Sequence, residues 1–328
     1  MLPWNEPILD TFRRDALPHA FLIHGPRGVG KLALAERAVQ LMLCEASEAA
    51  SRPCGACEGC RWYAAGSHPD LRRLEPEALA QQRPNAQAET PPEEAGATPG
   101  RRAKPSTVIK IEQVRELADF LNVGSHRGRR RVTLVHPAEE MNANAANALL
   151  KGLEEPPASA LFLLVSHRPA RLLPTIRSRC VAVPVGLPSR SDALHWLAAQ
   201  GVADGERWLA YAGGAPLRAC AYAQEAETVD RLLRGISAGG TMLVDDREEV
   251  EALAEALQKI ALDGALMAFG LPGRYRAGNA APGPAQARAW LSFARQMGRN
   301  RALSRHPLNT RLFAAEMLAA MPREANSP

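Results

Sequence analysis

An α/β fold built on a parallel sheet, followed by wholly helical segments, is predicted by three observations. Short apolar runs at 20–24, 131–135, 161–166 and 180–185 alternate with helical patterns, the arrangement that produces a parallel sheet with helices on both faces. The first run leads into a glycine-rich loop and then a helix, the layout of a phosphate-binding loop. Strand patterns cease after Gly186-Leu187-Pro188, and the remainder reads as helices. The 328 residues, 46% hydrophobic and 23% charged, allow two or three domains with a sizeable core. That composition excludes a disordered chain, and six cysteines are too few for a disulfide scaffold. The longest apolar stretch, 160–165, is far short of the ~18 residues of a membrane span. The start, MLPWNEPILDTFRRD, lacks the basic-then-apolar order of a signal peptide. A soluble, cytoplasmic protein is expected. The net charge of +5 permits a polyanionic partner without requiring one.

The run AFLIH at 20–24 reads as a buried strand. It enters Gly25-Pro26-Arg27-Gly28-Val29-Gly30-Lys31-Leu32, and Leu32, Ala35, Val39 and Met42 then mark one helix face. In a working phosphate loop the glycines let backbone N–H groups face phosphates, lysine neutralises charge and a following Ser/Thr hydroxyl holds Mg2+. Leu32 cannot coordinate a metal. The strand at 131–135 should end in an acid that handles the same ion, but the chain continues His136-Pro137-Ala138-Glu139. Glu139 and Glu140 read as opening the next helix, where its dipole favours acids. Two independent magnesium positions are lost, so no intrinsic ATPase is expected.

Cys44, Cys54, Cys57 and Cys60 follow C-x9-C-x2-C-x2-C. Two-residue gaps bring thiolates to one ion, and four thiolates complete the tetrahedron of structural Zn2+, leaving no open position for catalysis. Cys180 and Cys220 read as packed thiols. Residues 76–105 hold six prolines, seven alanines and Leu79 as the only large aliphatic. A disordered insertion at about 76–106 is expected. Helical patterns return at 111–123, and a helix at 142–155 starts on the cap Asn142 and stops at Pro156-Pro157. Farther on, Val250, Leu253, Leu257, Ile260, Gly264 and Met267 define one helix face and Trp290, Phe293 and Met297 another.

The order of the phosphate loop, the four cysteines, Gly66-Ser-His-Pro-Asp70, the segment NALLKGLEEPP within residues 144–157, and Thr175-Ile-Arg-Ser-Arg-Cys180 resembles the delta-prime family of bacterial DNA polymerase III clamp-loader subunits, within the AAA+ superfamily. The likeness covers most of residues 1–220. It implies an AAA+ domain at 1–187 with the zinc module at 44–60, a helical lid at 188–227 and a helical collar at 228–328. It implies a pentamer with delta and gamma/tau subunits that places a sliding clamp on primed DNA. Arg179 would be the arginine finger completing the neighbouring subunit's ATP site, with Ser178 supporting its turn. Ser166 and Arg218 would stand at the two sensor positions, and Gly25, Gly28, Gly30 and Lys31 would form a vestigial nucleotide site. The implied role is a non-catalytic subunit of the polymerase holoenzyme, a nucleotidyltransferase. Two other readings compete. An active ATPase of the gamma/tau kind needs the missing magnesium groups. A zinc-organised DNA-binding module needs a basic aromatic face, where only Arg52, Arg61, Trp62 and Tyr63 are offered.

Overall fold

The computed structural model describes residues 2–14, 16–48, 51–83, 105–122, 130–238, 244–277, 286–304, 306 and 308–322. The chain divides into two compact units, Met1–Leu187 and Pro188–Pro328.

The first unit opens with the short helix α1 (Glu6–Leu9) and continues through β1 (Ala20–His24), α2 (Lys31–Leu43), α3 (Glu58–Ala64), β2 (Leu71–Leu74) and α4 (Glu77–Ala80). Then come α5 (Ile111–Asn122), β3 (Arg131–Val135), α6 (Ala143–Glu154), β4 (Ala160–Ser166), α7 (Pro174–Ser178) and β5 (Val181–Pro184). The strands form one parallel sheet in the order β2-β3-β4-β1-β5. Parallel pairing requires crossovers, which carry helices onto the sheet faces and leave the central strands buried on both sides. Every residue of β3 and β4 is accordingly buried. On one face Leu22, Val135, Phe162 and Leu164 pack with Val114 and Leu117 of α5 and Leu149 and Leu153 of α6. The buried residues of α2 are Lys31, Leu34, Ala35, Ala38, Val39, Leu41, Met42 and Leu43, while Leu32, expected on the apolar face, is half-buried.

The edge strand β2 was hidden in the sequence by Arg72 and Arg73. An edge tolerates them because their heads find partners at its rim. The Arg72 guanidinium lies 4.7 Å from the Phe120 ring centroid, and Arg73 donates to Glu36 at 3.0 Å and to the Tyr63 hydroxyl at 3.3 Å. Beneath them Arg131 and Asp70 form a buried pair, Nε to Oδ1 3.6 Å. The opening of the segment expected to be disordered is instead structured. Glu77 in α4 pairs with Lys110 at 2.7 Å, and Arg83 with Glu75 at 2.5 Å. A backbone bond also ties it down, Ala78 N donating to the Ser106 carbonyl at 3.0 Å; residues 84–104 of the same segment lie outside the described residues. The α6 cap is as expected, with Asn142 Oδ1 accepting from Ala145 N at 2.7 Å.

The second unit contains α8 (Arg190–Ala199), α9 (Gly205–Tyr211), α10 (Pro216–Gln224), α11 (Ala226–Ser237), α12 (Arg247–Ala268), α13 (Ala287–Leu303) and α14 (Thr310–Ala319). Val250, Leu253 and Leu257 of α12 bury against Trp290, Phe293 and Met297 of α13. A second cluster gathers Leu197, Trp208, Leu209 and Val229. No helix among the described residues is long and apolar enough to cross a membrane.

Candidate functional site

The phosphate loop joins the end of β1 to the start of α2. Gly25, Gly28 and Gly30 have φ of +148°, +80° and +86°, conformations that side chains resist. Space is equally restrictive at two of them. A Cβ on Gly25 would come 2.0 Å from the Val185 carbonyl oxygen, and one on Gly30 2.0 Å from Leu2 Cδ1. The N-terminal segment closes over this turn: Trp4 Nε1 donates to the Val29 carbonyl at 3.0 Å, and Asn5 Nδ2 to the Val29 and Gly30 carbonyls at 3.1 and 3.2 Å. Lys31 is buried, and its ammonium donates to the loop's own Pro26 carbonyl. Burial lowers its pKa from 10.5 to about 8, opposed by the Glu139 carboxylate and assisted by Arg27.

The end of β3 brings a second group to the same lysine. Glu139 does not open α6 as the sequence suggested. It lies in the 3-10 turn Ala138–Glu140, where both carboxylate oxygens accept the His167 backbone N–H, at 3.0 and 3.2 Å. His136 and His167 meet Nε2 to Nε2 at 3.3 Å. Burial holds both imidazoles neutral, lowering His136 to about 4 and His167 to about 3, with Lys31 and Arg27 adding to the effect. Where magnesium would be handled, this chain therefore has a leucine, two neutral imidazoles and a carboxylate anchored on backbone. His136, Glu139 and His167 escaped the sequence reading as a group because β3 and β4 are separated in the chain; adjacent pairing of those strands joins them. Ser166 is buried at the end of β4, where its hydroxyl accepts the Arg168 N–H at 3.2 Å.

Arg179 follows α7 and keeps about a third of its side chain exposed. Its Nη1 donates to the Thr175 carbonyl at 3.0 Å and lies 3.5 Å from Ser178 Oγ, and its Nη2 pairs with Glu154 at 2.6 Å. Ser178 Oγ itself donates to the Thr175 carbonyl at 3.0 Å. Burial pushes the adjacent Cys180 thiol up to about 11.

The four cysteines form a separate site. Their sulfurs lie within 4.8 Å of one another, the sole such metal-holding group among the described residues. Cys44 and Cys57 sulfurs are 3.9 Å apart, close to the ~3.8 Å set by a tetrahedron with ~2.3 Å metal–sulfur bonds. Backbone N–H groups of Glu45, Cys54, Cys57 and Cys60 point at Cys57, Cys44, Cys54 and Cys57 sulfurs in turn, at 3.3–3.4 Å. Such donors favour thiolate. Backbone bonds lower Cys54 to about 6. At Cys57 burial opposes the shift but the two N–H groups prevail, while burial raises Cys60 to about 12. These residues can hold a metal ion.

Arg218 lies in the second unit. Its guanidinium bonds to Glu255 and the Tyr222 hydroxyl, and Lys259 Nζ lies 2.9 Å from that hydroxyl and 3.1 Å from Glu255. Arg301 reaches the same carboxylate at 2.9 Å. The apolar periodicity of α12 gave no sign of this part-buried charged cluster.

A parallel sheet of this strand order, with a phosphate loop between its β1 and the following helix, defines a P-loop protein of the AAA+ class. Within that class the chain belongs to the DNA polymerase III delta subunit family, whose match spans residues 6–187. The DNA polymerase III subunit delta' of Pseudomonas aeruginosa is 42% identical over 223 residues, 66% of this chain and 60% of that protein. The delta' subunit of Escherichia coli is 32% identical over 199 residues, 60% of this chain and 52% of that one. A solved DNA polymerase III gamma subunit-related protein from Thermotoga maritima aligns over 96% of this chain and 97% of its own, at 18% identity and a TM-score of 0.45. The chain spans between about half and three-fifths of the length of these two delta' relatives.

Proposed function

We propose that this chain is a delta-prime subunit of a cytoplasmic clamp loader and acts as a stationary member of it. It assembles with delta and gamma/tau subunits through a helical collar at 228–328, next to a lid at 188–227, and meets the sliding clamp and primed DNA through the complex. Its own loop turns over no ATP, because Leu32 and His136 leave magnesium without ligands and Lys31 is bonded to the loop's own carbonyl. Nucleotide contacts by Gly25, Gly28, Gly30, Lys31, Ser166 and Arg218 are vestigial in this reading. The Cys44, Cys54, Cys57 and Cys60 site holds structural zinc, which cross-links the chain after α2 to α3. The observation that carries the proposal is Arg179. A permanently charged, planar donor stands part-exposed on a braced turn, suited to a phosphate presented by another chain.

Reconstitution with gamma/tau and delta tests this. Arg179→Ala should lower the complex's ATPase by about 100-fold or more while gel filtration shows the assembly intact. An unchanged rate would refute the trans role.

A further inference from the structure

Glu154 closes α6, and Glu155-Pro156-Pro157 follows it. A carboxylate at a helix C-terminus faces the negative end of the dipole. Helix stability therefore does not explain an acid there. What the position does provide is reach to another element: Glu154 Oε1 lies 2.6 Å from Nη2 of Arg179, beyond α7. The Thr175 carbonyl holds Nη1 at 3.0 Å. Contacts on both terminal nitrogens, from two different elements, fix the plane of the guanidinium. The two side chains remain 34% and 46% exposed, so the fixed group is accessible to a neighbouring chain. A guanidinium has five N–H donors, more than these acceptors use, so phosphate oxygens can be met without releasing Glu154.

We propose that Glu154 is a positioning residue: its carboxylate holds the Arg179 guanidinium in the orientation that meets a nucleotide phosphate on the adjacent subunit. The inference rests on the trans role of Arg179 stated above. A long arginine side chain left free would have to be ordered each time it meets the phosphate, and pre-ordering it removes that entropic cost from the reaction.

The test uses the reconstituted complex, with steady-state ATPase measured against ATP concentration. Glu154→Gln keeps the size and removes the charge. It should lower kcat by roughly 10-fold and change KM for ATP by less than about two-fold, because orientation matters most where charge develops. Glu154→Asp should restore an intermediate kcat, which a role limited to packing would not produce. In an Arg179→Ala background, Glu154→Gln should have no further effect. If Arg179→Ala slows the complex but Glu154→Gln leaves kcat unchanged or raises it, the positioning role is overturned and the trans role stands. A further loss in the Arg179→Ala background also overturns it, since Glu154 would then act independently. If Arg179→Ala itself has no effect, both fail. Gel filtration of each variant complex confirms equal assembly.

Discussion

Replacing Lys31 with methionine should stabilise the N-terminal unit at neutral pH. Lys31 is 2% exposed, and burial draws its pKa from 10.5 to about 8. That gap corresponds to roughly 3 kcal/mol of folding free energy lost by keeping the charge buried. The hydrogen bond to the Pro26 carbonyl offsets about 1 kcal/mol on removal. The expected net gain for Lys31→Met is about 2 kcal/mol, or about 4–8 °C in Tm for a unit of this size. The pH dependence supplies the sharper check. Below pH 8 the lysine is protonated in both states, so the penalty is constant. Between pH 8 and 10.5 the unfolded chain binds the proton and the folded one does not, so wild-type stability rises with pH. The advantage of the methionine variant should therefore shrink by about 2–3 kcal/mol between pH 8 and 10. Urea titrations of both proteins at pH 7, 8, 9 and 10, followed by tryptophan fluorescence, measure it. A destabilised variant, or a gain independent of pH, would show that the buried charge is not strained.

Three further outcomes follow from other buried groups. Elemental analysis should find about one zinc per chain, and chelation should lower Tm sharply, since metal binding at a four-thiolate site is itself folding free energy; a metal-free chain of equal Tm would contradict the cysteine assignment. Asp70→Asn removes the buried carboxylate that faces the Arg131 guanidinium, at an expected cost of about 3–5 kcal/mol in urea denaturation; a loss below about 1 kcal/mol would mean that the pair contributes no more than an exposed one. His136 and His167 stay neutral in the fold down to about pH 4 and 3, while the unfolded chain protonates near 6.5, so stability should be lost as pH falls from about 6.5 toward 4. The urea midpoint between pH 7 and 5 should fall less steeply for His136→Asn, and identical slopes would argue against it.

What is local in chain position was readable from residue order alone. The strand at Ala20–His24, the phosphate loop, the Asn142 cap and the apolar periods of α12 and α13 each depend on neighbours within a few turns, where propensity and hydrophobic spacing act directly. The four cysteines were equally legible, because their spacing already confines the thiols to one small volume. Leu32 and His136, at the two positions where a magnesium-handling hydroxyl and acid are expected, were legible by residue type. Tertiary structure decided matters that join distant segments. Arg72 and Arg73 mask β2 in any hydrophobic pattern, and only the Phe120 ring and the Glu36–Tyr63 pair account for them. Glu139 looks like an ordinary first-turn acid until strand pairing sets His167 against it. Glu255 and Lys259 lie on α12, whose apolar spacing is regular, and only the packing of α10 brings Arg218 to them. Glu154 and Arg179 are 25 residues apart in the chain, and their 2.6 Å contact exists only because α6 and α7 pack together. Periodicity reports burial along one element, whereas the pairing of charges depends on which elements meet, and that is fixed only when the sheet and its helices close on one another.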